Sequence, residues 1–474
     1  MYRNTVLWAL LALILVGVQR LDAGSWPQFR GLNTGRDDSN QKLPEKIGPD
    51  TNVVWKVMLP PGHSSPVVFG DRIFVTAVRD QKLWTIGLDR ETGKVLWEAE
   101  VPHEKLEPIH RIGSHAQCSP ATDGERVVTF FGSSGLFCHD RDGKLLWKKP
   151  MGPFKNDFGA GNSPLIEGDR VIVCQDHDTD SFLAAYNKHT GEVLWHVDRS
   201  EFPRNYCSPV IWTVGGKKQI VVAATLRVAG YDIETGKELW TVRGVSRTVC
   251  MTPTIGEDNT LYVAAWSAGG DPGELIRLDP YADVAAAFDK NKDGSFSKDE
   301  VPDGPIKMRF SQIDRDKSET ISQAEYDFFR DLFDKSKNVV IAIKPGAVGD
   351  ASDTHVLWTY SKVVPFCSSP LVYRDHVFTV KDGGILSSLN ARTGKPTKQG
   401  RLPATGDYYS SPVAGDGKVY FVSQPGKLTV VSAESEWQVL HTADFKEEVH
   451  GTPALLDGRI YLRTHGHLYC FGGK

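Results

Sequence analysis

Eight times along this chain a Ser-Pro or Thr-Pro pair opens a β-rich run that turns over Gly or Asp and returns. The pairs are Ser65-Pro66, Ser119-Pro120, Ser163-Pro164, Ser208-Pro209, Thr252-Pro253, Ser369-Pro370, Ser411-Pro412 and Thr452-Pro453. The runs behind them include VVFGDRIFVTA, LIEGDRVIVCQ and VAGDGKVYFVS, each a strand, a turn and a strand. A second signal closes each unit: LDRETGKVLW to Trp97, HDRDGKLLW to Trp147, YNKHTGEVLW to Trp195 and YDIETGKELW to Trp240. Weaker copies are HVLW to Trp358, LNARTGKPTK without Trp, and SAESEWQVL with Trp437. This reads as a third strand, a Gly turn and a fourth strand with an aromatic anchor suited to the space between sheets.

Successive prolines lie 54, 44, 45, 44, 117, 42 and 41 residues apart. Repeats of about 40–45 residues with four strands each form the blades of a radial propeller. The expected fold is therefore all-β: an eight-bladed β-propeller of four-stranded blades. The 117-residue step exceeds its 44-residue neighbours by 73, which puts an insertion inside the fifth blade. The last copy stops after three strands near YLRTHGHLYCF, and residues 52–57, NVVWKV, supply a fourth with Trp55 in the expected place. The N-terminal strand is expected to close the ring. Trp is thereby an architectural residue in this chain, and 40% hydrophobic residues are enough for such a core. A formal net charge of −4 speaks against a nucleic-acid partner.

The LDxxTGKxxW endings with Ser-Pro-led hairpins resemble the PQQ-type repeats of quinoprotein dehydrogenases, and also those of the periplasmic propeller in the outer-membrane barrel-assembly machinery. The nearer likeness is to exported PQQ-like propeller proteins of planctomycete type. The resemblance covers residues 26–267 and 339–474. It implies the propeller fold, and it raises PQQ as a cofactor. The quinoprotein enzymes use a vicinal disulfide over PQQ, a calcium and an Asp base. This chain has no Cys-Cys pair, and matching PQQ ligands cannot be carried to particular positions, so the repeat alone does not imply the cofactor.

The insertion carries two twelve-residue acidic loops. The first runs from Asp289 through Asn291, Asp293, Gly294, Ser295 and Ser297 to Glu300. It matches the EF-hand calcium loop position by position, with oxygens at 1, 3, 5, 7, 9 and 12 and Gly at the sharp turn. The second offers Asp314, Asp316, Ser318, Thr320 and Glu325, with Glu319 where Gly is usual. A residue with a Cβ is strained there, which predicts weaker binding. Phe296 and Ile321, both at position 8, are expected to pair. Short helices are expected at Tyr281 to Phe288 and Ser322 to Asp334, with Pro302 cutting the first exit helix. The expected organisation is a signal at 1–23, propeller at 24–267, a calcium-binding EF-hand pair at 268–338, and propeller at 339–474.

Residues just before each Ser/Thr-Pro should lie near the mouth of the central channel. Candidate ligand residues are His63, Cys250, Cys367, Tyr409 and His450, with His115, Arg204 and Arg247 close in sequence. His63 and His450, from blades that meet at the closure, are the leading pair. The residues one position on, including Ser64, Cys118, Asn162, Cys207 and Met251, are assigned to the same ring. The acidic stretch Gln175–Ser181 reads as a solvated hairpin or a cation site.

Arg3, an apolar run from Thr5 to Val18 and small Ala23 before Gly24 read as an export signal. No later apolar run is long enough to span a bilayer. A periplasmic or secreted monomer is expected. The seven Cys show no CxxC spacing and read mainly as small buried hydrophobes. No HExxH, GxSxG or P-loop motif occurs. Three functions remain open: a calcium-binding propeller that binds a ligand or protein, a PQQ-dependent oxidoreductase, or a scaffold in outer-membrane protein assembly.

Overall fold

A computed structural model describes residues 24–178, 180–271 and 275–472; the expected export signal at 1–23 lies outside them. Eight sheets follow one another, each built on four antiparallel strands that keep sequence order in all but the last. Blade 1 shows the pattern: Val67–Phe69, Arg72–Arg79, Lys82–Asp89 and Val95–Val101. The second and third strands are largely buried on both faces. The fourth alternates, because one of its faces meets solvent. The hydrophobic cores lie between neighbouring blades, as in the cluster shared by blades 1, 7 and 8.

Closure occurs as the sequence implies. Val53–Met58 pairs antiparallel with His467–Gly472, Trp55 opposite Cys470, and completes blade 8. The aromatic anchor has a more specific role than filling space. Indole N–H groups donate to carbonyls in the turn of the next blade: Trp55 to Arg90 (3.1 Å), Trp97 to Arg141 (2.9 Å), Trp147 to Lys188 (2.8 Å) and Trp195 to Ile233 (3.1 Å). The same indole lies on the turn glycine of that blade, so a Cβ at Gly93 would sit 2.5 Å from the Trp55 ring. Each of these repeats therefore holds the following one. Trp240 faces blade 5, which lacks the Thr-Gly turn; its N–H turns back to Gln219 of its own blade (2.7 Å).

Gly93→Ala should consequently cost about 1–3 kcal/mol through overpacking. Gly70→Ala, also at positive φ but with nothing within 4 Å, is the matched control in the same blade. Urea denaturation of the two variants checks this, and equal losses would remove the inter-blade contact as the cause.

The insertion leaves blade 5 between Leu261–Ala265 and Val339–Ile343, which pair directly, so the sheet passes beneath it unbroken. Among its described residues lie four helices: α1 (Tyr281–Phe288), α2 (Pro305–Met308), α3 (Phe310–Ile313) and α4 (Gln323–Asp334). Ser322 and Glu325 form a reciprocal capping box that fixes the start of α4. The two acidic loops are joined by an antiparallel ribbon in which Phe296 faces Ile321. Phe296, Ile321, Tyr326 and Phe310 form a core of the insertion's own. Its polar contacts to the ring include Lys155 Nζ to Ser311 Oγ and Arg315 Nη2 to the Ser200 carbonyl, both 2.6 Å.

The opposite face of the ring is crossed by the N-terminal segment, which the repeat reading did not anticipate. Ser25–Trp26 pairs with the first strand of blade 1. Arg30 then reaches Thr254 Oγ1 (2.9 Å) in blade 5 and the Pro370 carbonyl (2.8 Å) at blade 6. Asp37 N–H donates to the Ala414 carbonyl of blade 7 (2.8 Å). Burial, with Arg36 nearby, lowers the Arg30 guanidinium to about 9.

Candidate functional site

The recurring Ser/Thr-Pro pairs build the wall of the channel. The hydroxyl of each accepts the backbone N–H of its counterpart in the preceding blade: Ser65 N–H to Ser119 Oγ (2.9 Å), Ser119 to Ser163 (2.9 Å), Ser163 to Ser208 (2.9 Å) and Ser208 to Thr252 (3.3 Å). The series runs on through Ser369, Ser411 and Thr452 at 3.0 Å each, and Thr452 N–H returns to Ser65 Oγ at 2.9 Å. Eight equivalent bonds thus form a closed ring. A hydroxyl is needed at that position to accept the bond, and the proline after it donates none. This role was not legible in one repeat, because each bond has one partner in the neighbouring blade.

An extended chain sends alternate side chains to opposite sides. The residue two before each ring hydroxyl therefore faces the channel with it, and the intervening one does not. His63, Cys250, Cys367, Tyr409 and His450 line a cavity of about 550 Å³. Their expected companions one position on do not. Cys118, Asn162, Cys207 and Met251 are buried within the blades, and Cys118 Sγ donates to the Ala160 carbonyl (3.1 Å). His115 is a second correction: it is not on the cavity wall, and its Nε2 lies 2.7 Å from the Glu107 carbonyl, although Ile112 and Gly113 of the same connector do line the cavity.

His63 and His450 do meet, with ring centroids 3.7 Å apart and planes 5° from parallel. Tyr409 stacks on His450 at 5.4 Å. Burial, then His450 and Arg463, hold His63 down at about 2, and burial holds His450 at about 4. The pair is neutral at physiological pH. Cys250 and Cys367 occupy the same register in blades 5 and 6. The Cys250 thiol beside it, together with burial, pushes the Cys367 thiol well up, so Cys367 is held protonated rather than reactive.

Arg204 and Arg247 both reach the cavity. Arg204 is held by Asp178 (2.8 Å to each oxygen) and Asp157 (2.8 Å). Arg199 makes a bidentate pair with Asp176 (2.9 and 2.8 Å). Two carboxylates of the acidic stretch at 175–181, Asp176 and Asp178, are thus buried and hold guanidinium groups, while Asp180 is exposed. Among the residues lining the cavity, Phe29 comes from the N-terminal segment, and Arg309 and Gln312 come from the insertion. These three were missed, because nothing in the repeat brings distant segments to the two ends of the channel.

The two acidic loops have matching geometry. Glu300 accepts N–H bonds from Lys290, Asn291 and Ser297 (3.1, 3.2 and 2.9 Å), and Glu325 from Arg315, Asp316 and Ser322 (2.7, 3.3 and 2.9 Å). Asp289 accepts from Asp293 and Gly294, and Asp314 from Ser318 and Glu319. The loops therefore curl round inward-gathered oxygens. Asn291 Nδ2 donates to Asp293 (2.8 Å), Ser295 and Ser297 donate to Asp293 and Glu300, and Ser318 Oγ lies 3.1 Å from Thr320 Oγ1. Oxygens of Asp314, Asp316 and Glu325 lie within 4.8 Å of one another. Burial raises the Asp314 carboxyl above its usual range. Glu319 sits at φ +66°, against +84° for Gly294, so the second loop adopts the same turn despite its Cβ.

A family model described as "Outer membrane protein assembly factor BamB" matches residues 48–156 and 88–269. The protein of that name from Shewanella oneidensis (strain ATCC 700550) is 23% identical over 389 residues, 78% of this chain and 84% of that protein. Its namesake from Burkholderia pseudomallei (strain K96243) is 23% identical over 195 residues; there the chain spans 45% of the relative's length and the match covers 40% of this chain. Among solved structures, BamB from Moraxella catarrhalis superposes with a TM-score of 0.55 at 13% identity, covering 89% of this chain and 97% of that one. The computationally designed Ika8 protein superposes with a TM-score of 0.54 at 10% identity, covering 91% and 100%. These structures share the fold alone. The repeat and the ring make the chain an eight-bladed β-propeller, and its residues 48–269 match the family model of PQQ-like repeats.

Proposed function

We propose that the chain is an exported, protein-binding propeller that carries a calcium-binding module and serves envelope protein assembly. Similarity to outer membrane protein assembly factors over 78% of this chain and 84% of the Shewanella relative carries the binding reading. A closed ring with every blade stapled to the next suits a rigid platform. No helix among the described residues is long and apolar enough to cross a membrane. The calcium reading is supported by the donor set: hard oxygens at loop positions 1, 3, 5, 7, 9 and 12, in two loops joined through Phe296 and Ile321. Asp289, Asn291, Asp293, Ser295, Ser297 and Glu300 would hold one ion, and Asp314, Asp316, Ser318, Thr320 and Glu325 the other. Bound metal would neutralise these carboxylates and so fix the inserted helices.

Cross-linking of the tagged full chain in envelope extracts tests the binding reading. Enrichment of outer-membrane barrel proteins or their assembly components over an unrelated propeller is expected. Recovery equal to that control would end it.

A further inference from the structure

The channel cavity has a one-sided charge. Arg204, Arg247 and Arg309 line it, and no Asp or Glu is among the described residues of its wall. Arg204 is already matched by Asp178 and Asp157 behind it. Arg247 and Arg309 have no ion pair among the described residues. Among the described residues the Arg247 side chain makes one hydrogen bond, from Nη2 to the Ala268 carbonyl at 3.2 Å, and its Nε is buried without a partner there. Its guanidinium lies over the Phe333 ring at 4.4 Å. Burial, then Arg309 and Arg204, lower it to about 10, so these cations feel one another across the cavity. Unpaired charges of one sign, partly removed from water, are costly to maintain, and an anion between them relieves that cost.

The rest of the wall fits an anion too. Each ring hydroxyl spends an oxygen lone pair on the neighbouring blade's N–H, and none donates its proton to a described protein group. Those protons are left for the cavity. The His63 and His450 rings are neutral and carry no competing negative charge. Beside the arginines, Trp266 and Phe366 meet edge to face at 4.5 Å and offer an apolar surface. The volume, about 550 Å³, is that of a small-molecule site.

We infer that this cavity binds a small organic acid, its carboxylate held between Arg247 and Arg309 and its apolar body against Trp266 and Phe366. Arg309 comes from the insertion and Arg247 from the connector into blade 5, so the site exists only where the guest module meets the ring. The inference rests on neither an envelope partner nor an occupied calcium loop.

Calorimetric titration of the full chain at low salt and constant calcium tests it, with benzoate as the probe and benzamide as its neutral match. One benzoate per chain is expected, with benzamide at least about tenfold weaker, the usual worth of charge-assisted bonds. Arg247→Gln and Arg309→Gln should each weaken benzoate about tenfold, and Arg247→Lys less, since it keeps the charge. Because Arg247 also packs on Phe333, thermal melting of each variant confirms folding, and Arg309→Gln gives a second reading from the insertion. No saturable benzoate binding at millimolar concentration would overturn the inference. So would equal affinity for benzamide, or undiminished binding in the folded double variant.

Discussion

Asp176→Asn should be among the most damaging single substitutions in the ring, costing about 3–5 kcal/mol, the usual penalty for stranding one member of a buried ion pair. Asp176 and Arg199 are 0% and 1% exposed. The guanidinium is also bonded to the Tyr231 hydroxyl and lies 4.2 Å from the Phe202 ring centroid, so it cannot turn to water. The pair bridges blade 3 to the connector that leads into blade 4. Urea denaturation monitored by tryptophan fluorescence reads the loss. The paired replacement Asp176→Leu with Arg199→Met removes both charges and should recover most of it, because no orphan charge remains. If Asp176→Asn unfolds at the same urea concentration as the parent, the pair does not hold these blades together.

The largest functional effect should come from the last ligand of each acidic loop. Glu300→Gln and Glu325→Gln each remove a carboxylate placed to bind with both oxygens. Loss of an outer-shell partner typically costs 10–100-fold in metal affinity, so loss of a direct ligand should cost at least about that much. Calcium titration of the full chain should show two sites in the parent, one in each single variant and none in the double variant. Hydrogen exchange across 281–334 should slow on adding calcium to the parent and stay unchanged in the double variant. Undiminished heat of calcium binding in the double variant would refute the metal reading. Loop two is the more informative: Glu319 at φ +66° already stores backbone strain. Glu319→Gly should raise stability of the insertion by about 1–2 kcal/mol, the cost of a Cβ in the left-handed region.

Much of the fold was legible because a propeller repeats its instructions. Proline spacing counted the blades, and the lone Trp55 in NVVWKV identified the strand that closes them. The two acidic loops of the insertion were equally readable, since each falls within one twelve-residue segment. The channel was read in part. His63 and His450 were singled out and do stack, because their register in the repeat makes them neighbours at the closure. Cys118 and Asn162 lie one position out of that register, so the two-residue alternation of an extended chain turns them into the blades instead of the channel. His115 is close to the channel residues in sequence, but its imidazole meets the Glu107 carbonyl instead of the cavity.

Local sequence, then, determined the blade count, the closing strand, the aromatic staples and the two acidic loops. Each depends on spacing within a repeat or a turn, which the chain records directly. Tertiary structure alone decided that Arg247 and Arg309 face one cavity, that Phe29 reaches it from the other end, and that Asp176 and Asp178 serve arginines rather than solvent. Those partners lie tens to hundreds of residues apart or arise from an insertion with no repeat period. Their meeting is set by how the ring closes and where the guest module rests on it.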